Sequence, residues 1–359
     1  MTDNKYSELR RILVFRIGHL GDTIVALPAF WTLRKTFPNA KLTLLSNEDP
    51  ENPHYISPRN VLPEKGLFDS YLSYPNRLAN PLSALKLAGQ IRLGRFDAVF
   101  YLMPRGRSPK QIVRDKKFFR LAGIDRQYCF SFAAANHLPV QVTRPLPNVT
   151  SEAQYLIDSL ASESVAFEGG PPKNLMALTE GERVAADRWF AKSVRISSDR
   201  FVAIGPKSKW TSKTWDEDRF AKVTNRLIGE CGVFPIVFGG KEDRSAGDWL
   251  IEQWGIGANA AGELDVRTAA AALSRCSVYL GNDTGTMHLA ASVGTPCVAL
   301  FSAVDWPGRW HPIGTGHKIF RRRVECEGCG LSVSAHGNKC LRLIEPEEVL
   351  EACREVLMN

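Results

Sequence analysis

The chain has 359 residues, 44% hydrophobic and 23% charged, with a formal net charge of +8. That length suits two α/β domains rather than a single core, and no run of about 18 apolar residues is present to span a bilayer. Residues Met1 to Arg10 are polar and lack the apolar stretch of a signal peptide, so the expected compartment is the cytoplasm.

Arg11 to Ile17 reads as a buried strand, and Gly18-His-Leu-Gly-Asp22 as a short turn feeding a helix from about Thr23 to Phe37. Further strands are expected at Lys41 to Ser46, Ser70 to Ser73 and Ala98 to Leu102. Helices are expected near Leu82 to Arg92, Lys110 to Ala122 and Glu152 to Leu160. Strands alternating with helices imply a parallel sheet, whose carboxyl edge is where ligands bind. Asp22 lies on that edge, either to do chemistry or to cap a helix. Gly18-x-x-Gly21 lacks the third glycine of a dinucleotide fingerprint, and no acidic residue clearly ends the second strand, which disfavours nicotinamide binding.

Val165 to Leu178 contains Gly-Gly-Pro-Pro and is the best linker candidate. It divides the chain into an N-terminal Rossmann-like domain, 1–170, and a C-terminal one, 171–345. A helix over 346–359 is expected to pack back on the first domain. The second half repeats the αβ pattern, with strands at Phe201 to Gly205, Val233 to Phe238, Ser277 to Leu280 and Cys297 to Phe301. Its helices fall near Trp215 to Glu230, Arg244 to Trp254 and Val266 to Arg275.

Two stretches of this half suit phosphate. The loop from Gly205 to Trp215 carries Lys207, Ser208, Lys209, Thr211, Ser212 and Lys213, ammoniums and hydroxyls fit for a diphosphate, although a solvated basic loop has the same composition. In Tyr279-Leu-Gly-Asn-Asp-Thr-Gly-Thr-Met-His288 a strand runs through a polar turn into a small-residue helix. Unpartnered N–H groups at Thr284, Gly285 and Thr286, with the positive end of the helix dipole, make an anion site. Asp283, Thr284 and His288 add chemistry beyond a plain phosphate cradle and suggest a phosphate with a polyol attached. The competing reading is a capped helix with a satisfied core histidine.

Basic patches at Arg105, Arg107, Lys110, Arg114 to Lys117 and Arg321 to Arg323 would meet an anionic partner. They are not interleaved with aromatics, and no nucleic-acid module is recognisable, so nucleic acid is not the expected partner. A phosphorylated or membrane-embedded acidic substrate fits as well.

Together these residues resemble glycosyltransferase family 9, the ADP-heptose lipopolysaccharide heptosyltransferases. The resemblance rests on Ile12 to Asp22 followed by Ala26-Leu-Pro-Ala29 and Leu33-Arg34, on Lys213-Thr-Trp215, on Gly281 to His288, and on the cysteine-rich tail before Ile344 to Val349. It covers nearly the whole chain. It implies a GT-B fold, two Rossmann-like parallel-sheet domains facing across a cleft, with the acceptor held by the first and the nucleotide sugar by the second. It also implies inverting transfer of heptose from ADP-heptose to a lipopolysaccharide core or related glycan, with Asp22 as general base. Ser208, Lys209, Lys213, Thr284, Gly285 and Thr286 would meet the diphosphate, Asp283 the sugar hydroxyls, and His288 the diphosphate or the turn itself. No cofactor is required for catalysis on this reading. The lipid-linked acceptors of the family, with the basic first domain, suggest peripheral contact with the inner face of the cytoplasmic membrane. One departure concerns the ribose: the family often has an acidic residue after the strand-ending Gly239-Gly240, whereas here Lys241 comes first and Glu242 is the substitute. The nucleotide base is therefore open.

Cys326, Cys329, His336 and Cys340 have the spacing C-x2-C-x6-H-x3-C, which suits structural zinc or iron, with Cys353 as an alternative fourth ligand. A surface loop packed by reduced thiols is the other reading. The rival functions are a transferase using another nucleotide sugar or a protein acceptor, an epimerase or hydrolase on the same fold, and a nucleotide-sugar sensor in which Asp22 only caps a helix.

Overall fold

Ile12, Leu13 and Val14 are fully buried, as a strand covered on both faces requires, and they form the middle of a five-stranded parallel sheet. The description comes from a computed structural model and covers all residues except 1–5, 50, 53–54, 76–80, 140–142, 167–173, 195–199 and 359. In chain order the first unit runs β1 (Arg11–Phe15), α1 (Leu20–Val25), α2 (Leu27–Thr36), β2 (Lys41–Glu48), β3 (Ser70–Pro75), α3 (Pro81–Gly94), β4 (Ala98–Tyr101), α4 (Pro109–Leu121), β5 (Arg126–Tyr128), α5 (Phe130–Ala135) and α6 (Glu152–Ala161). The strand order is β3-β2-β1-β4-β5, with Ile12 opposite both Leu42 and Ala98.

The helix expected from Thr23 to Phe37 is two helices. Pro28 lies in the first turn of α2 and has no N–H to donate back, so α1 ends at Val25 and a new helix starts at Leu27. The earlier start of α1 also puts Asp22 inside a helix's first turn rather than in the turn before it.

The second unit contains α7 (Glu180–Ser193), β6 (Phe201–Gly205), α8 (Glu217–Cys231), β7 (Phe234–Val237), α9 (Arg244–Trp254), β8 (Ala258–Asn259), α10 (Val266–Leu273), β9 (Cys276–Asn282), α11 (Gly285–Ser292), β10 (Cys297–Phe301), β11 (Lys318–Arg321), α12 (Lys339–Arg342) and α13 (Pro346–Met358). Its parallel sheet has the order β11-β10-β9-β6-β7-β8. α7 was not expected, although Thr179 and Glu182 form a reciprocal capping box that the sequence carries openly.

Two expectations about organisation change. The boundary between 170 and 171 falls outside the described residues, and the units separate at Leu175 and Met176. Before that, residues 143–151 already belong to the second unit: Leu146 N–H donates to Glu327 Oε1 at 2.7 Å and Val149 N–H to the Pro307 carbonyl at 2.9 Å. The chain then returns to the first unit for α6, which packs on α2. Helix α13 packs within the second unit, against α8. Val349, Leu350, Ala352 and Cys353 are buried in the second unit's own core beside Phe220, Val223 and Leu227 of α8, because that face of α13 is apolar. No helix among the described residues is long and apolar enough to cross a membrane.

Candidate functional site

In the first unit the site forms where β1 gives way to α1. Gly18 has φ +135°, and a Cβ there would lie 2.2 Å from Asp22 Cβ, so only glycine lets the Asp22 side chain fold over the turn. Asp22 Oδ2 accepts the His19 N–H at 3.0 Å, which realises the cap reading. That leaves Oδ1, which faces Arg16 Nη2 at 3.7 Å, and the side chain keeps 24% of its exposure.

Arg16 is buried. It donates from Nε and Nη2 to the Asp22 carbonyl at 3.2 and 2.8 Å and from Nη1 to the Leu102 carbonyl at 3.1 Å, tying the ends of β1 and β4 to α1. Asn47 Oδ1 accepts the Gly18 N–H at 3.0 Å. The Tyr55 hydroxyl is shared between the carbonyls of Asn47 at 2.6 Å and Gly18 at 3.1 Å. Burial, then the charges of Glu48, Asp22 and Asp49, push the Tyr55 phenol up to about 12, so it stays a hydrogen-bond donor at neutral pH. Arg16, Asn47 and Tyr55 escaped the sequence reading. Only the Arg16 charge inside an otherwise apolar strand run gave a signal.

In the second unit, candidates come from the carboxyl ends of β9, β6 and β7, which are neighbours in the sheet. Lys213, at the end of a 3-10 turn after β6, donates to Asp283 Oδ2 at 2.6 Å, and its Nζ lies 5.3 Å from the Trp210 ring centroid. Asp283 follows β9 directly and is buried, with His288 Nε2 4.0 Å from its other oxygen. Thus Lys213, Asp283 and His288 converge, while the residue expected to hold sugar is paired with the one expected to hold phosphate.

The turn is built by Asn282, which is fully buried. Its Oδ1 accepts the Trp215 N–H at 3.0 Å and its Nδ2 donates to the Pro206 carbonyl at 2.8 Å, clamping the Lys213 loop to the end of β9. Tyr279 Oη, Thr286 Oγ1 and Thr284 Oγ1 form a hydroxyl chain with steps of 3.0 and 2.7 Å. A Cβ on Gly205 would sit 1.8 Å from Tyr279 Oη, so glycine is obligatory where that ring crosses β6. Thr284 caps α11 with no side-chain hydrogen bond, which leaves the first-turn donors at Gly285 and Thr286 open to an anion.

Ser208 and Lys209 lie on the same loop, where Ser208 Oγ accepts the Trp210 N–H at 3.4 Å; Lys207 instead pairs with Glu217. Glu242 stands at the end of β7, its carboxylate folded back over Gly240. Asp305, just after β10, was missed. Its side chain takes hydrogen bonds from the Trp306 N–H at 2.7 Å, Trp310 Nε1 at 2.7 Å and Arg309 at 3.2 Å. Burial disfavours its charge, but Arg309, those donors and nearby Lys213 outweigh it and hold its carboxyl below the usual range.

Cys326, Cys329, His336 and Cys340 do line one small cavity of about 20 Å³. Among the described residues, however, no three His, Cys, Asp or Glu side chains are arranged to hold a metal ion. Cys340 Sγ accepts the Ala303 N–H at 3.3 Å, and in the absence of a metal burial pushes its thiol up.

A family model described as Glycosyltransferase family 9 (heptosyltransferase) matches residues 153–338. Among curated proteins the chain is similar to lipopolysaccharide heptosyltransferase 2 of Escherichia coli (strain K12), 27% identical over 192 residues, which is 51% of this chain and 53% of that relative. The match thus spans about half the length of that relative. Among solved structures the chain is similar to the glycosyl transferase family 9 protein from Veillonella parvula DSM 2008, with TM-score 0.74, 21% identity and 97% of each chain covered. It is also similar to E. coli ADP-heptose lps heptosyltransferase II, with TM-score 0.64, 21% identity and 97% and 98% of the two chains covered.

Proposed function

The chain belongs to glycosyltransferase family 9 and has its GT-B fold, and on that premise we propose that it transfers heptose from ADP-heptose to a lipopolysaccharide core or related glycan, with inversion. The observation that carries the donor half is the cluster at the carboxyl ends of β6 and β9: the Lys213 ammonium, the open N-terminus of α11 and the hydroxyls of Thr284 and Thr286. A diphosphate binding there exchanges Lys213's contact with Asp283 for contact with phosphate oxygens, and frees Asp283 to accept from sugar hydroxyls. Glu242 at the end of β7 is suited to accept from the ribose hydroxyls.

In the transfer step Asp22 takes the proton of the acceptor hydroxyl while that oxygen forms its bond to the anomeric carbon. The bond from that carbon to the diphosphate breaks on the opposite face, and ADP leaves with the electron pair, so configuration inverts. Lys213 and the α11 dipole stabilise the charge that develops on the leaving group. Fixed positive charge of this kind supports a metal-independent reaction.

The carboxylate geometry supports Asp22 as base. One oxygen is committed to the helix cap, and the other is held by Arg16 in a partly exposed position. An acceptor of this class is anchored in lipid, so the proposal includes work at the inner face of the cytoplasmic membrane.

The deciding experiment is thermal-shift screening against ADP, UDP, GDP, dTDP and CMP, followed by ADP release from ADP-heptose with and without a heptose-deficient core acceptor. Selective stabilisation by ADP, with release only when the acceptor is present, is the expected result. Stabilisation by UDP or GDP instead replaces the donor, and acceptor-independent turnover replaces the transferase.

A further inference from the structure

Residues 81–121, which span α3, β4 and α4, contain ten Lys and Arg against two Asp. Their net charge of +8 equals that of the entire chain, so the remainder is neutral. On the helix surfaces only Arg114 is paired with one of these acids, Asp115, at 2.9 Å. Asp97 accepts the backbone N–H groups of Arg10 and Arg11, and Asp115 is buried against Arg107 and Tyr101. Lys86, Arg92, Lys110, Lys116 and Lys117 have no ion-pair partner among the described residues.

The same surface is apolar where a solvated helix should not be. α3 buries Leu87 and Ile91 on one side, yet Leu82, Leu85 and Leu93, spaced along the opposite side with Gly89 between them, are 73%, 67% and 83% exposed. α4 packs beside α3 and exposes Val113 and Leu121 among Lys110, Arg114, Lys117 and Arg120. Arg92 lies against Gly123, which brings the ends of the two helices together near Leu93 and Leu121.

We propose that the outer face of α3 and α4 docks on an anionic phospholipid bilayer, with Leu82, Leu85 and Leu93 entering the interface and the lysines and arginines of both helices meeting lipid phosphates. This rests on the reading that the acceptor is lipid-anchored, and it names the surface that reaches it. Charge selects the occupant. A second copy would set a strongly cationic face against itself, and like charges across a two-fold contact repel. Nucleic acid would satisfy the cations and leave three leucines in water, with no aromatic platform for bases. A bilayer with anionic headgroups satisfies both components.

The test is co-sedimentation of the full chain with vesicles of phosphatidylcholine alone or with about a third phosphatidylglycerol, at low salt and at about 0.5 M salt. Binding is expected only to the anionic vesicles and is expected to weaken with salt. At about fivefold per charge, the triple variant Lys110→Gln/Lys116→Gln/Lys117→Gln should bind roughly a hundredfold more weakly. Leu82→Ser/Leu85→Ser/Leu93→Ser should remove the binding that survives salt. Both variants should keep the melting temperature and the transfer rate to a delipidated, water-soluble acceptor, so loss of docking is distinct from failure of the transferase reading. No binding to anionic vesicles at low salt, or equal binding by the parent and the lysine variant, overturns the proposal. So does a leucine variant that turns a dimer into a monomer in sedimentation velocity while vesicle binding is unchanged.

Discussion

Lys213 Nζ sits 2.6 Å from Asp283 Oδ2, across 70 residues of sequence, so the second unit stores the cation proposed to bind phosphate against the carboxylate proposed to bind sugar. The pair is largely buried, and opening it for a diphosphate exposes both charges to new partners at once. Donor affinity and stability therefore share one contact.

Replacing Lys213 by Met should lower stability by about 3 kcal/mol, because it leaves Asp283 buried with its cation gone. It should also weaken ADP binding at least tenfold. Urea unfolding and calorimetric titration with ADP check the two effects separately, and unchanged ADP affinity would remove Lys213 from the donor site.

For Asp22, Asn and Ala separate the cap from the base. Asp22→Asn keeps an oxygen to accept the His19 N–H, so it should fold with near-parent stability and bind ADP-heptose normally, while transfer falls by about 10²- to 10⁴-fold. Asp22→Ala should show the same loss of rate plus about 1 kcal/mol of lost stability. If the Asn variant keeps most of the activity, Asp22 is only a cap.

Gly205→Ala should destabilise the second unit by about 1–3 kcal/mol, since the new methyl meets the Tyr279 hydroxyl. Removing that hydroxyl with Tyr279→Phe should not rescue it, because ring atom Cζ also lies within 2.6 Å of the new Cβ. Full rescue measured in urea melts would show that the ring moves aside.

Glu327 provides the pH dependence. Burial disfavours its charge, but the Leu146 N–H, Arg321 and Arg323 outweigh that and hold its carboxyl below the ordinary value of 4.5. A group depressed in this direction contributes its full stability above the ordinary value and loses it as pH falls toward the folded value. Glu327→Gln should therefore be less stable than the parent at pH 7, with the gap narrowing below about pH 4.5. A gap that stays constant down to pH 3 would rule out a native-state charge on Glu327.

Treatment with a chelator and removal of divalent ions should leave transfer within about twofold if Lys213 and the α11 N-terminus carry the leaving-group charge as proposed. Loss of activity that Mg²⁺ or Zn²⁺ restores would refute metal independence.

The elements that were legible are those whose signals are local. β1, β6, β9 and β10 are unbroken apolar runs, and the polar turn from Asn282 to Gly285 announces a helix start whatever surrounds it. The Lys213 and Asp283 segments were each readable as polar loops at strand ends for the same reason. Edge strands β5, β8 and β11 were not, because they are two to four residues long and their Arg, Gln, Asn and Lys residues leave no apolar run to detect.

By itself, then, the sequence determined the two parallel-sheet units and the chemistry of the residues at their carboxyl edges, because strand and turn preferences act over a few neighbouring residues. Tertiary structure decided the partners. It set Lys213 on Asp283, Arg16 under Asp22, residues 143–151 in the second unit, and α13 in that unit's core. Each of these depends on which strands are neighbours in a sheet, and strand order is a property of the folded chain that no local pattern encodes.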